Sequence, residues 1–300
     1  MNNWSIKFRN ILFSVNKEYS KNPYAIQKFI GRQDLLPSEK EIDIAYKLKF
    51  ENIPKSLFKY RGFDDQGFYL DNIEKNRLWL SKPIDFNDPF DARIFSQTDD
   101  FFQKSEVHLE NLKKEKLFTQ KNIEQYELVI SAMKKNKNLL NLRNELNAHI
   151  HRVGCLSEVN DSILMWSHYS SNHSGFCMEY AMNELKENDE CSIALFPVFY
   201  MDIEKNQQED ILNGIKFYKL FAVLRKSKEW AYEKEWRIVV PTYDEIENIL
   251  MPRIKGIYLG CNISQKNKDK ILSLSKVQNF DVYQTYKKSG QPQLYFTKEI

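Results

Sequence analysis

The sequence has no apolar run long enough to cross a bilayer, which excludes a membrane-spanning helix and predicts a soluble chain. Its opening stretch, MNNWSIKFRNILFSVNKEYS, lacks a long apolar core and a small-residue cleavage site, so its short amphipathic pattern reads as a helix and not as a secretion signal. No cysteines have CxxC spacing, which argues against a zinc ribbon. Cys155, Cys177, Cys191 and Cys261 are dispersed instead, as expected of buried, inert thiols in a reducing cytoplasmic compartment. There is no GxGxxG and no GxxxxGK followed by Ser or Thr, which argues against a Rossmann or P-loop nucleotide site. A GxSxG elbow and a fixed-period repeat are also missing. Excess charge is small: a formal +3 over 300 residues argues against a diffuse basic surface for nucleic acid, though not against a local basic groove.

What the chain does have is a core and many rigid rings. Hydrophobic residues make up 42%, and 20 Phe with 16 Tyr supply anchors for core, stacking or interface contacts. Residues 1–53 read as an N-terminal helical segment, with Ser38 and Glu41 spaced for a capping box before Pro54 breaks the pattern. Short strands are predicted at 57–61 and 77–81, the second with Leu78 and Leu80 on one face and Trp79 on the other, and a helix at 65–76 lies between them. Residues 101–150 contain no Gly or Pro and show intermittent leucine spacing, which predicts a helical insertion where function is not expected to centre. Strand signals return at 153–157, 175–180, 194–200, 235–240, 256–259, 282–286 and 294–296, with helices near 161–169 and 208–224. Strands and helices without strict alternation predict an α+β fold: one domain over 1–300, built on a mixed, mostly antiparallel sheet.

Four clusters could carry chemistry. In Phe58-Lys59-Tyr60-Arg61, an arginine at a strand end can fork onto a carboxylate or phosphate, or form an ordinary surface salt bridge. In Phe86-Asn87-Asp88-Pro89-Phe90-Asp91, the polar residues make turn geometry and the two phenylalanines can pin the loop to the core; Asp88 and Asp91 could also face a ligand hydroxyl, but a metal lacks supporting partners. The richest cluster joins Cys155-Leu156-Ser157-Glu158, Met165-Trp166-Ser167-His168-Tyr169 and His173-Ser174-Gly175. The spacing of its two histidines does not match a HExxH zinc helix. The last, Trp230-Ala231-Tyr232-Glu233-Lys234-Glu235-Trp236-Arg237, reads as a strand starting near Glu233. That start puts Glu233, Glu235 and Arg237 on one face, where an acid could do acid/base or cation-stabilising work or be neutralised by Arg237.

Taken in order from about residue 57 to 298, these clusters and the closing Ile257-Tyr258-Leu259-Gly260 resemble the bacterial and phage-encoded family known as domain of unknown function 2971. The order also looks like an ADP-ribosyltransferase fold, with an arginine on the first core strand and a late acidic pair. That resemblance implies NAD as cofactor and a sugar cation stabilised by Glu235 or, second, Glu233, with His168 among the catalytic candidates. Arg61 would hold the pyrophosphate, and Tyr60, Trp166 or Tyr169 would stack on a ring. His168 or His173 would bond a ribose, and Ser81, Asn87 and Asp88 join the cofactor-binding set. The implied function is a nucleotide-directed, NAD-consuming transferase acting as a toxin or antiphage defence effector on a nucleic-acid or protein acceptor. The alternatives are a non-catalytic nucleic-acid or protein-binding module, and a metal-dependent nuclease using Asp88, Asp91, Glu233 and Glu235.

Overall fold

The computed structural model describes residues 3–13, 39–92, scattered positions between 102 and 113, 120–136, 149–202, 218–242 and 245–299. Contacts divide the chain into two compact units. One comprises Met1–Lys49, Lys82–His151 and Phe199–Lys228; the other comprises Phe50–Ser81, Arg152–Val198 and Glu229–Ile300. The N-terminal helical segment and the helical insertion fall almost wholly in the first unit.

The first unit is built around aromatic rings. Helix α1 (Asn3–Phe13) buries Phe8, Leu12 and Phe13. Phe8 stacks on Phe199 of β6 (Phe199–Met201) at 6.3 Å, and Phe13 meets Phe221 of α7 (Tyr218–Leu224) at 5.0 Å. Helix α2 (Glu39–Phe50) follows the predicted spacing, but Ser38 of the expected capping box lies outside the described residues. Within 101–150, α4 (Gln120–Lys135) contributes Ile130 to a small core with Phe102 and Leu109. Its outer side is solvated, with Lys113 paired to Glu110 and Glu127. β6 runs parallel to β7 (Arg225–Ser227), and Lys226 of β7 pairs with buried Asp91 at 3.5 Å. The helix predicted at 208–224 is present at 218–224; its earlier part lies outside the described residues.

The second unit is an eight-stranded, mostly antiparallel mixed sheet, so the chain is α+β as predicted. Its strands are β1 (Leu57–Arg61), β3 (His151–Ser157), β4 (Phe176–Tyr180), β5 (Leu195–Pro197), β8 (Glu235–Pro241), β10 (Ile254–Leu259), β11 (Asp281–Lys287) and β12 (Leu294–Lys298), in spatial order β12-β11-β10-β4-β1-β3-β8-β5. β10 and β11 are parallel, which requires a crossover, and α8 (Gln265–Gln278) supplies it with Ile271 buried and Ser264 capping Asn267 N. The short helix α3 (Phe68–Glu74) sets Tyr69 against Phe63 and Phe176. β2 (Arg77–Trp79) pairs with β9 (Asn248–Leu250), burying Leu78 while Trp79 faces out, as its alternation predicts. Helix α5 (Ile163–Tyr169) is capped by Ser162 and presses Met165 and Trp166 onto one sheet face.

Three sequence expectations are corrected. The strand predicted at 194–200 is split at Val198: β5 pairs with β8 and β6 with β7, in different sheets. Its first residue belongs to α6 (Glu190–Ala194). The strand expected from Glu233 starts at Glu235, because Glu233 closes a 3-10 turn (Lys228–Glu233) and Lys234 turns the chain with φ of 44°. Phe90 does not pin its loop: it is 62% exposed, while Asp88 Oδ1 accepts from Phe90 N as the turn chemistry predicts.

Candidate functional site

The alternation of β1 sorts its side chains onto two faces. Phe58 and Tyr60 turn toward α5. The Tyr60 ring meets Trp166 edge-on at 5.3 Å, and its hydroxyl donates to Val159 O at 2.9 Å. Lys59 and Arg61 take the other face. Against β4 the strand keeps register over all five residues, but it meets β3 at one pair, Phe58↔Ser157. Just past that pair, Lys59 Nζ donates to Cys155 O at 3.0 Å, and a side chain thus occupies a backbone acceptor of β3. Arg61 ends the strand half-buried, with no hydrogen-bond or ion-pair partner among the described residues.

The strand end is held by the corner that follows α5. Ser171, Asn172 and His173 are all left-handed, with φ of 51°, 54° and 64°. Such conformations cost about 1–2 kcal/mol per residue for side chains with a Cβ, so surrounding bonds must fix them. His173 N donates to Trp166 O, Gly175 N to Ser170 O, Gly260 N to Gly175 O and Asn262 N to His173 O. Gly175 allows the close approach: a Cβ there would lie 2.1 Å from Arg61 O, and one at Gly260 would lie 2.1 Å from His173 O. The His-Ser-Gly motif is therefore a bracket against the Arg61 backbone. His173 stacks near Trp166 at 6.4 Å, and its Nδ1 is buried without a hydrogen-bond partner among the described residues. Burial first, then Lys287, hold its pKa below the ordinary histidine value.

β8 carries the acidic candidates. Both faces of this strand are buried, so Glu235 is not at a solvent-facing mouth. Arg237 is fully buried and clasps it from two sides, Nε to Oε1 at 2.9 Å and Nη2 to Oε2 at 3.0 Å. This is the neutralising pair that the two-residue spacing allowed. Beside it, burial and then the Glu235 carboxylate push the Cys155 thiol above its ordinary pKa, which keeps it protonated. Glu233 is buried at the end of its turn, where Oε1 accepts from Tyr169 at 2.7 Å and its carbonyl accepts from Ser157 Oγ at 2.6 Å.

The sequence candidates therefore separate. Tyr60, Trp166, Tyr169 and Glu233 gather on the α5 face. Trp166 is wholly buried, its indole N–H given to Asn160 O, so its ring is a core element. Tyr169 is half-buried and His168 exposed; His168 lies within 6.3 Å of Trp230. Ser81 bonds to Val153 through both backbone groups. Asn87 and Asp88 lie in the other unit. All four cysteines are free, but Cys155 and Cys261 are only partly buried. Among the described residues, no three His, Cys, Asp or Glu side chains gather as a metal would need, and no helix is long and apolar enough to cross a membrane.

Sequence reasoning passed over two charged residues. Lys59 was hidden in a cluster read for its arginine; period two, which puts it on the face of Arg61, is the signal that finds it. Glu179 of β4 is the other. It is buried, accepting from Ser56 Oγ at 2.7 Å, Lys255 Nζ at 2.8 Å and the Tyr258 hydroxyl at 2.9 Å. Burial works against its charge, but those three donors outweigh it and leave the carboxyl below its usual pKa. No local pattern joins residues 56, 179, 255 and 258; only the sheet register does.

No curated protein and no solved structure matches the chain, so the ADP-ribosyltransferase-like arrangement has no structural neighbour behind it. Residues 165–238, from α5 into β8, match the family model described as "Protein of unknown function (DUF2971)", in agreement with the family resemblance carried by the motifs.

Proposed function

We propose that the protein binds a nucleotide through Arg61 and acts on it as an NAD-consuming transferase of the ADP-ribosyl type. The observation that carries this reading is Arg61 itself: a half-buried guanidinium at a braced strand end, with no protein anion or acceptor on it among the described residues. A guanidinium in that state is suited to grip a phosphate oxygen pair. Of the two acids, Glu235 would have to leave Arg237 before meeting a ligand. We assign the stabilisation of the sugar cation to Glu233, whose partner Tyr169 is a half-buried ring that can stack on a base; both lie on the α5 face, opposite Arg61, so the ligand would have to pass round the strand end at Arg61 to reach them. Cleavage of the glycosidic bond would release nicotinamide, and the ribosyl carbon would pass to an acceptor nucleophile or to water. The role as a toxin or antiphage effector follows from the family resemblance and depends on this activity.

The test is nicotinamide release from NAD by the purified full chain, alongside Glu233→Gln and Arg61→Ala. Release by the parent, abolished in the first variant and with a raised KM in the second, is expected. No release by the parent, or equal release by Glu233→Gln, defeats the reading.

A second reading draws on the partly exposed rings His168, Tyr169, Trp230 and Tyr232, which lie side by side. Such a row can stack on successive bases of a single strand, without catalysis. Salt-dependent binding of a single-stranded oligonucleotide, weakened about tenfold or more by Trp230→Ala at 1–3 kcal/mol per stacked base, together with no NAD turnover, would favour it.

A further inference from the structure

Two residues before Arg61, on the same face of β1, Lys59 is also without a counter-ion. Its Nζ donates to Cys155 O, and no carboxylate lies within ion-pair distance among the described residues. The groups that face it are Arg61 on its own strand, Cys155 on β3, Glu235 on β8 and Cys177 on β4. Glu235 is the one acid among them, and Arg237 clasps both its oxygens. Even partial burial of an ammonium without an ion-pair partner is costly. An apolar side chain of similar length would fill the same space without that cost, and would give up only the one bond to Cys155 O.

We propose that Lys59 is a second anion-binding residue beside Arg61, and that the two together hold the paired phosphates of a pyrophosphate-containing ligand. The proposal rests on the nucleotide reading above and names the ligand group its site takes. Beyond the Phe58↔Ser157 pair no further backbone pair joins β1 to β3, and the Lys59 ammonium lies there on Cys155 O. Cys155 O occupies one of the ammonium donors and leaves the others, and the guanidinium fork is open. Asp64, an acid whose charge feels Arg61, is already occupied by the amides of Phe68 and Tyr69 at the start of α3.

Proton exchange separates this role from a structural one. Burial first, and Arg61 among the charges, pull the Lys59 pKa below the ordinary lysine value. A bound anion favours the charged form and raises that pKa again. Binding therefore takes up protons at pH values between the two, and affinity falls as pH rises through that window.

The experiment is calorimetric titration of the full chain with inorganic pyrophosphate at alkaline pH, in two buffers of unlike ionisation enthalpy. The parent binds with net proton uptake. Lys59→Met binds about tenfold more weakly, as expected for one charge-assisted hydrogen bond, and without uptake; Arg61→Ala binds more weakly but keeps the uptake. Lys59→Met removes a half-buried cation together with its bond to Cys155 O, so its Tm should move by no more than about 2–4 °C, and lost binding at a temperature where it is folded cannot be blamed on unfolding. Lys59→Gln repeats the test with a polar side chain. No pyrophosphate binding by the parent, or parent-like affinity and uptake in Lys59→Met, overturns the proposal. Lys59-dependent binding without NAD turnover keeps the anion site and removes the transferase. NAD turnover with an unchanged KM in Lys59→Met does the reverse.

Discussion

Strands β1 and β8 of one sheet each carry two charged side chains two residues apart, and the two pairs behave in opposite ways. On β8, Glu235 and Arg237 are of opposite sign, buried and closed on each other. On β1, Lys59 and Arg61 are of like sign, half-buried and left without a counter-ion. The lesson is that the more conspicuous motif, an acid-rich run on a strand, satisfies itself, whereas the plain basic doublet is the one left wanting a partner.

The largest test of that contrast is Arg237→Ala. It leaves Glu235 buried and uncompensated and should cost about 3–5 kcal/mol of stability by urea unfolding. A loss below about 1 kcal/mol would mean that the pair is not the closed unit described. Replacing both members together, Glu235→Leu with Arg237→Met, should recover most of that loss, because apolar substitution of a whole buried pair is commonly neutral or better.

Gly260→Ala comes next. Its new Cβ meets His173 O at 2.1 Å, so the bracket that braces Arg61 must shift, at about 1–3 kcal/mol. Weakened nucleotide binding in that variant, at a temperature where it remains folded, would sharpen the link between bracket and arginine. Arg61→Ala itself should change stability by no more than about 0.5 kcal/mol, as for a surface change without a lost partner. A drop several times larger would show that the guanidinium has a structural partner and would erase the contrast with β8.

The smallest effect concerns Glu179, a buried acid that is satisfied without a two-pronged partner. Its pKa is lowered on folding, so its contribution is fully present above the unfolded carboxyl value of about 4.3 and is lost as pH falls through the folded value. The stability curve of Glu179→Gln should be flatter than that of the parent below that pH, with the two running parallel above it. Parallel curves throughout would remove the charge from the account.

Much of this arrangement could be read from the sequence, and the reasons for the remainder are specific. Leu57 to Arg61 and Glu235 to Val240 show as strands because apolar residues recur with period two or run together. Helix α8 was not anticipated: QKNKDKILSLSKVQ buries only Ile271 and Ser275, so it has almost no apolar stripe to detect. β7 and β9, three residues each, exist only because a partner strand lies beside them. The pairing of Glu235 with Arg237 was legible, since spacing alone sets it. The lack of a partner for Lys59 was not, because whether a charge finds its counter-ion depends on which strands become neighbours.

The single pair between β1 and β3 makes this the sparsest of the sheet's described strand pairings that carry a side-chain bond. Rims of sheets are where foreign strands attach, and lysines placed there discourage it. Lys59 stands in the interior of the sheet, its ammonium on Cys155 O beyond the last backbone pair, so a side chain ties the two strands where a further rung is missing.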